Sequence, residues 1–333
     1  MLTTGDGAAG RPAAHGARAQ GGWSLRLAPL GVPLRIELDR AGDRFAVEAA
    51  CAGWQGRPER SARTLRLTLA CSPALSGSAR VEVAVDGRRL ALRGPGGTGG
   101  ACADRGEAWC IVSNDYLAAP ERLRAEVLEP LILFLVTRNG RVPLHAAAVK
   151  SGELAILLMG PSGSGKSSLA LAADRAGWLV MAEDTVYLQR EPAPRFRGCP
   201  GPVHLLPRDC PGGPNQARLR NGKLKYAVRV RRRHPDALVA GRAAACLLAR
   251  GETVALERLG PAEALSLAGP VEAGFDLLAA EIRAAHELLM RDGAWRLTLS
   301  SRPAEAIELL SASLPLLRAS AAPAAAGPLA CAD

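Results

Sequence analysis

Residues Leu154 to Leu171 read LAILLMGPSGSGKSSLAL. Six apolar residues of strand character lead into Gly160-Pro161-Ser162-Gly163-Ser164-Gly165-Lys166-Ser167, and Ser168-Leu169-Ala170-Leu171 continues with helical propensity. The spelling G-x-x-x-x-G-K-[ST] therefore stands between a strand and a helix, the context that gives it meaning. Glycines let successive backbone N–H groups point inward, and the nest they form lies at a helix N-terminus whose dipole favours negative charge. In this pattern Lys166 reaches the terminal phosphates and the Ser167 hydroxyl ligates Mg²⁺. The expected nucleotide contacts are Gly160, Ser162, Gly163, Ser164, Gly165, Lys166, Ser167 and Ser168, with ATP and Mg²⁺ as the ligands. A Gly/Ser turn matching by chance is the alternative, and both flanks speak against it.

Downstream, Ser167 to Ala176 reads as a helix of about three turns ended by Gly177, and Trp178 to Ala182 as an apolar strand. That strand delivers Glu183-Asp184 at its C-terminal end, where α/β sheets place functional groups, 18 residues after Lys166. An Asp so placed accepts the proton of an attacking hydroxyl while the loop holds the γ-phosphate, the division of labour of kinases. A turn cap or a metal ligand is the other reading of Asp184, which joins Ser167 as a candidate ligand of Mg²⁺. Upstream, Leu144 to Val149 reads as a short strand carrying His145, 21 residues before Lys166. A lone His is more often a satisfied core residue than a participant, and its position alone favours the former.

Arg195 to Gly201 and Cys210 to Asn215 are Pro/Gly-rich and read as loops near the nucleotide. The run Arg218 to Lys225, then Tyr226 to Val230 and Arg231-Arg232-Arg233, is either a solvated basic hairpin or a cover that brings Lys223 or Lys225 over the transferring phosphoryl group. Ala243 to Ala249 and Val254 to Leu259 read as paired strands, with helices at Pro261 to Leu267, Phe275 to Met290 and Pro303 to Leu310.

The first third has a different period. Leu34 to Leu38, Leu65 to Leu69 and Val81 to Val85 alternate as half-buried strands, Asp86-Gly87 marks a hairpin, and Gly94 to Gly100 (GPGGTGG) reads as a flexible loop. Pro120 to Arg138 reads as a helix that Pro130 kinks and that joins this region to the nucleotide-binding core. The expected organisation is a disordered arm at 1–22, a β-rich domain at 23–118, a kinase domain at 119–315 and a disordered tail at 316–333.

The 333 residues carry a net charge of +10 and a pI near 9.7. Only four of the 42 basic residues are lysines and aromatic residues are 4%, so the stacking platforms of nucleic-acid binding are scarce and no nucleic-acid partner is expected. Eight cysteines without a C-x-x-C pair read as reduced thiols. The polar N-terminus and a longest apolar run of only Leu131 to Val136 point to a cytoplasmic chain without a membrane partner; a homo-oligomer stays open.

Taken together, His145-Ala146-Ala147-Ala148, the GPSGSGKSS loop and Ala182-Glu183-Asp184 resemble the catalytic core of the HPr kinase/phosphorylase family, and more closely its branch found with lasso-peptide biosynthesis. The resemblance covers about residues 142–190 and more loosely extends to 310. It implies an α/β fold, a P-loop HPr-kinase-like core beside the β-rich N-terminal domain, in which His145 assists catalysis, Lys166 binds phosphates and Asp184 is the general base. The implied activity is ATP-dependent phosphorylation of a serine in a peptide or small protein, such as the C-terminal residue of a lasso-peptide precursor. A kinase of a small metabolite or carrier protein, or a nucleotide-binding regulator without transfer, are the alternatives. Glu183 stands where the family has Asp, and its Arg-Gly-Leu-Gly segment is only echoed in Arg197-Gly198-Cys199-Pro200, with Arg195 at the family's magnesium-binding Glu.

Overall fold

The computed structural model describes residues 23–59, 62–77, 80–199, 201–207, 217–220, 223–231, 234–268 and 276–323. The expected arm at 1–22, the Cys210 to Asn215 loop, Arg232-Arg233 and the tail at 324–333 lie outside the described residues. The chain is mixed α/β with several sheets.

The first sheet is built from β1 (Trp23–Leu27), β2 (Leu34–Leu38), β3 (Leu65–Cys71), β4 (Glu82–Asp86), β5 (Arg89–Gly94), β6 (Gly97–Cys102) and β7 (Glu107–Val112), in the order β1-β2-β3-β7-β6-β5-β4. Alternation decides its faces: Leu34, Ile36, Leu38, Leu65, Leu67 and Leu69 are buried, whereas Arg35, Arg66 and Thr68 are exposed. The buried face packs on α1 (Arg44–Ala50) and on the helical stretch from Pro120 to Thr137, whose Leu123, Val127, Leu128, Leu131, Ile132 and Leu135 join the same cluster. Each leucine so buried contributes about 1.5–3 kcal/mol relative to exposure.

Two expectations for this region need correction. Gly94 to Gly100 is not a flexible loop but the turn of a hairpin and the first part of β6. A Cβ on Gly99 would lie 2.7 Å from the Trp109 carbonyl oxygen, and one on Gly96 2.6 Å from that of Gly77, so glycine serves close backbone approach there. The helix at Pro120 also does not simply kink at Pro130. After α2 (Asn114–Leu117) and α3 (Pro120–Leu123) comes a π-turn, Arg124–Leu128, and then α4 (Glu129–Thr137), with the Glu129 N–H donating to the Arg124 carbonyl. Pro130 has no N–H for the Glu126 carbonyl, and the wider turn accommodates that loss.

The second half opens with β8 (Arg141–His145), β9 (Ala147–Ser151) and β10 (Leu154–Met159). Leu144 to Val149 is therefore not one strand: the chain changes sheet at Ala146, and His145 ends one strand while Ala147 starts the next. After α5 (Lys166–Arg175) follow β11 (Leu179–Ala182), β12 (Thr185–Gln189), β13 (Arg195–Arg197), β14 (Val203–Leu205), β15 (Ala217–Arg220), β16 (Lys223–Val228), β17 (Val239–Ala240), β18 (Arg242–Arg250) and β19 (Ala255–Leu259). The chain then runs through α6 (Pro261–Ala268), α7 (Ala279–Met290), β20 (Ala294–Leu299), α8 (Pro303–Ala312), α9 (Leu314–Ser320) and β21 (Ala322–Pro323). The main sheet has the order β11-β9-β10-β18-β20-β19, with β21 on β18.

Two corrections follow. The strands at 243–249 and 254–259 share a sheet but do not pair, because β20 inserts between them, parallel to β18 and antiparallel to β19. The helix Leu314–Ser320 and the pairing of Ala322–Pro323 with β18 run into the stretch from 316 where a disordered tail was the expectation.

Every residue of β10 is buried, as a central strand covered on both faces requires. Ile156 and Leu158 pack with Leu169, Ala170 and Ala173 of α5 and with Ile307 and Leu310 of α8. Ala155, Leu157 and Met159 face the other way, onto Ile282, Ala285 and Leu289 of α7. The loop from Gly160 is thus anchored at both ends in a helix–sheet–helix core. Beside it stand a four-stranded sheet, β17-β13-β12-β8, and a three-stranded one, β14-β16-β15. Among the described residues, no helix is long and apolar enough to cross a membrane.

Candidate functional site

The Gly160 to Ser167 loop joins the end of β10 to the start of α5. Gly160, Gly163 and Gly165 have φ of 148°, 89° and 110°, a region that L side chains rarely adopt. A Cβ on Gly165 would lie 3.0 Å from both Arg250 Nη2 and Leu299 Cδ1, and one on Gly160 3.0 Å from Ser164 Oγ. Gly165 also caps α5 without any side-chain hydrogen bond, and no acidic residue occupies the first turn, which leaves the positive helix end to an anion. Lys166 is buried and folds back, donating from Nζ to the carbonyls of Gly160 and Pro161. Ser164 Oγ is buried with no hydrogen-bond partner among the described residues. Ser162 and Gly163 form the exposed tip, and Ser168 is half-buried one position into the helix beyond Ser167.

Glu183 and Asp184 lie between β11 and β12, where the chain leaves the main sheet for the smaller one. The two residues form the bend that joins the strands. Glu183 Oε1 accepts from the Ser167 hydroxyl at 3.3 Å and from the His204 N–H at 2.9 Å, and its Oε2 meets His204 Nδ1 at 2.6 Å. Asp184 meets a different side chain, with Oδ1 3.7 Å from His145 Nδ1. The acid on Ser167 is therefore Glu183, and Asp184 is the partner of His145. The strand register explains the second pair: Thr185 of β12 opposes His145 of β8, and the Asp184 carbonyl accepts from the Ala146 N–H at 3.1 Å. Asp184 is open to solvent, with a side chain 46% exposed, whereas Glu183 is at 12%.

Sequence reasoning passed over His204 and Arg250. His204 sits on β14, and nothing in its neighbourhood marks it except that it is one of five histidines. Arg250 ends β18 beside the loop and donates from Nη2 to the Gly163 carbonyl at 3.4 Å. Lys225 is half-buried on β16, opposite Arg218; the register puts Ala227 opposite His204, so Lys225 and His204 share a face of that sheet. Lys223 begins β16, and its side chain lies outside the description. Among the described residues no three His, Cys, Asp or Glu side chains gather as a metal-holding group.

The Arg197-Gly198 echo has a structural reading. A Cβ on Gly198 would fall 2.0 Å from the Met181 carbonyl oxygen, so only glycine passes β11 there. Arg197 is buried, donating from Nε to Gln189 Oε1 at 2.6 Å and pairing through Nη2 with Glu59, which comes from the first half of the chain. Arg141 Nη2 lies 3.6 Å from the same carboxylate. Burial, then Arg197 nearby, push Arg141 down to about 10 against the pull of Glu59; burial also lowers Arg197. Arg195 is exposed on β13 opposite Gln189, the end of β12 remote from Asp184.

No protein-family model matches the chain, and no curated protein matches it. Matches among solved structures include the Hpr(Ser) kinase/phosphatase from Coxiella burnetii, with 12% sequence identity, covering 52% of this chain and 96% of that one, at a TM-score of 0.26. A likeness of that score fixes neither the fold of this chain nor its activity.

Proposed function

We propose that the chain is an ATP-dependent kinase that transfers the γ-phosphate to a hydroxyl, the serine of a peptide or small protein. The observation that carries this reading is the acid–imidazole pair, Asp184 with His145 at 3.7 Å, opening to solvent beside a loop whose Ser167 is already held by a second acid, Glu183. A nucleotide-binding regulator has use for the loop but none for an exposed carboxylate on the residue that follows the acid on Ser167.

The loop suits a phosphate. Its three left-handed glycines give space, and among the described residues the first turn of α5 has no side-chain cap and the Ser164 hydroxyl no hydrogen-bond partner. Ser167 and Glu183 are the oxygen donors that suit Mg²⁺. When bound, Mg²⁺·ATP supplies an electrophilic γ-phosphoryl group whose charge the metal partly neutralises. Lys166, now spent on two loop carbonyls, is the cation for the terminal phosphates. Asp184 takes the proton of the acceptor hydroxyl, and His145 Nδ1 orients that carboxylate. The acceptor reaches Asp184 from solvent, and the basic hairpin of β15 and β16 suits a peptide that is acidic or ends in a carboxylate. The terminal serine of a lasso-peptide precursor is the specific acceptor to try first.

Mass spectrometry of acidic and C-terminal-serine peptides incubated with the protein, ATP and Mg²⁺ tests the reading. A gain of one phosphate on the serine is the expected result. Tight ATP binding with no transfer to any peptide and no ATP consumption favours the regulator instead.

A further inference from the structure

We infer that His204 is the positioning residue of Glu183: it grips both carboxylate oxygens and so aims them at Ser167, an inference that rests on the nucleotide-site reading above. Glu183 lies in the crossing between two sheets, and a free Glu side chain samples many rotamers, at an ordering cost of up to about 2 kcal/mol. Its fixed position therefore needs a cause. Two donors that meet its carboxylate belong to His204: the backbone N–H on Oε1 at 2.9 Å and ring Nδ1 on Oε2 at 2.6 Å. A carboxylate accepts, so Nδ1 carries the hydrogen. Holding both oxygens fixes the twist of the carboxylate as well as its place, which a single hydrogen bond does not.

His204 is itself held from both sides. Val203 and Leu205 are buried in the cluster that includes Leu169, Ala170 and Ala173 of α5, and β14 is laced to β16 through the His204–Ala227 rung. The helix that begins with Lys166 and Ser167 and the strand that carries His204 are thus packed on one another. Ser167 is on α5, His204 on β14 and Glu183 in the crossing from β11 to β12, and the carboxylate meets both. With side chains 12% and 17% exposed, the Glu183–His204 pair is largely screened from competing water. Second-sphere partners of this kind set the orientation of a metal-binding carboxylate, and their loss costs about 10–100-fold in metal affinity.

The test compares wild type with His204→Ala and His204→Asn, the latter keeping a side-chain N–H donor. ATP affinity is measured with and without Mg²⁺. His204→Ala is expected to lower the Mg²⁺-dependent gain at least about tenfold and leave Mg²⁺-free affinity unchanged, while His204→Asn restores most of the gain. Full gain in His204→Ala, equal loss with and without metal, an Asn variant no better than Ala, or a wild type without any Mg²⁺-dependent gain each overturns the inference. A second readout needs no nucleotide: the Nδ1 proton of His204 should resonate downfield in the ligand-free protein and be lost in Glu183→Ala, and its persistence there breaks the assignment. A wild type that gains affinity from Mg²⁺ but transfers no phosphate refutes the kinase reading and leaves His204 judged by binding alone.

Discussion

Glu183 and Asp184 are consecutive residues whose carboxylates turn to different histidines, Glu183 to His204 at 2.6 Å and Asp184 to His145 at 3.7 Å. The two neighbouring acids thus differ in surroundings, the Glu183 side chain 12% exposed and that of Asp184 46%.

Their variants should fail differently. Glu183→Gln should raise the Mg²⁺ concentration needed for half-maximal rate by about tenfold or more, if the proposed role of its carboxylate toward the metal holds. His145→Asn should leave that requirement alone and lower kcat about 10–100-fold, the loss of orientation of a general base. Initial rates against Mg²⁺ separate the two; equal metal dependence in both variants contradicts the division of roles.

Gly165→Ala should abolish nucleotide binding with little loss of fold. The new methyl group meets Arg250 Nη2 and Leu299 Cδ1 at 3.0 Å, and φ of 110° is unfavourable for Ala. Equilibrium ATP binding beside a far-UV spectrum checks this. Arg250→Ala, which removes the guanidinium on the Gly163 carbonyl, should weaken ATP binding without abolishing it.

Glu59→Ala should destabilise the protein by about 3–5 kcal/mol, since it leaves Arg197 and Arg141 buried without their shared counter-charge. Urea unfolding measures it. The cluster lies at the Arg141 and Gln189 ends of β8 and β12, whose other ends carry His145 and lead from Asp184, so a fall in kcat should accompany the loss of stability.

What could be read from the chain alone was what lay in one run. The Gly160 to Ser167 loop with its flanks and the Glu183-Asp184 pair are each contiguous, and the structure puts them side by side through α5 and β11. His204 reaches Glu183 only because β14 packs on α5, a relation with no spacing in the sequence. The division of Leu144 to Val149 at Ala146 was hidden for another reason: residues buried in two different sheets give one uninterrupted apolar run. Pairing of β18 with β19 looked natural from their closeness along the chain, and β20 intervenes through a parallel partnership that adjacency does not reveal. The glycines of Gly94 to Gly100 read as freedom because composition does not show how closely Val81, Gly77 and Trp109 approach Gly94, Gly96 and Gly99.

His286 should make the protein acid-sensitive. Burial lowers its imidazole below the ordinary 6.5, and Nε2 is buried with no hydrogen-bond partner among the described residues. Above about pH 6.5 both folded and unfolded states are neutral at this group and it has no effect. As pH falls below that value the unfolded chain takes a proton that the folded chain refuses, so stability declines until the lower folded value is passed. The drop in Tm between pH 7.5 and 5.5, values chosen about one unit either side of the ordinary imidazole value, should shrink in His286→Leu. Equal drops in both proteins assign the acid sensitivity elsewhere.

The most direct test of Asp184 as the base is single-turnover transfer from labelled ATP to an accepted peptide by wild type and Asp184→Asn, at saturating ATP and Mg²⁺. Asp184→Asn should bind ATP with wild-type affinity and transfer at least about 10²-fold more slowly. Transfer at the wild-type rate removes Asp184 from the mechanism and contradicts the account.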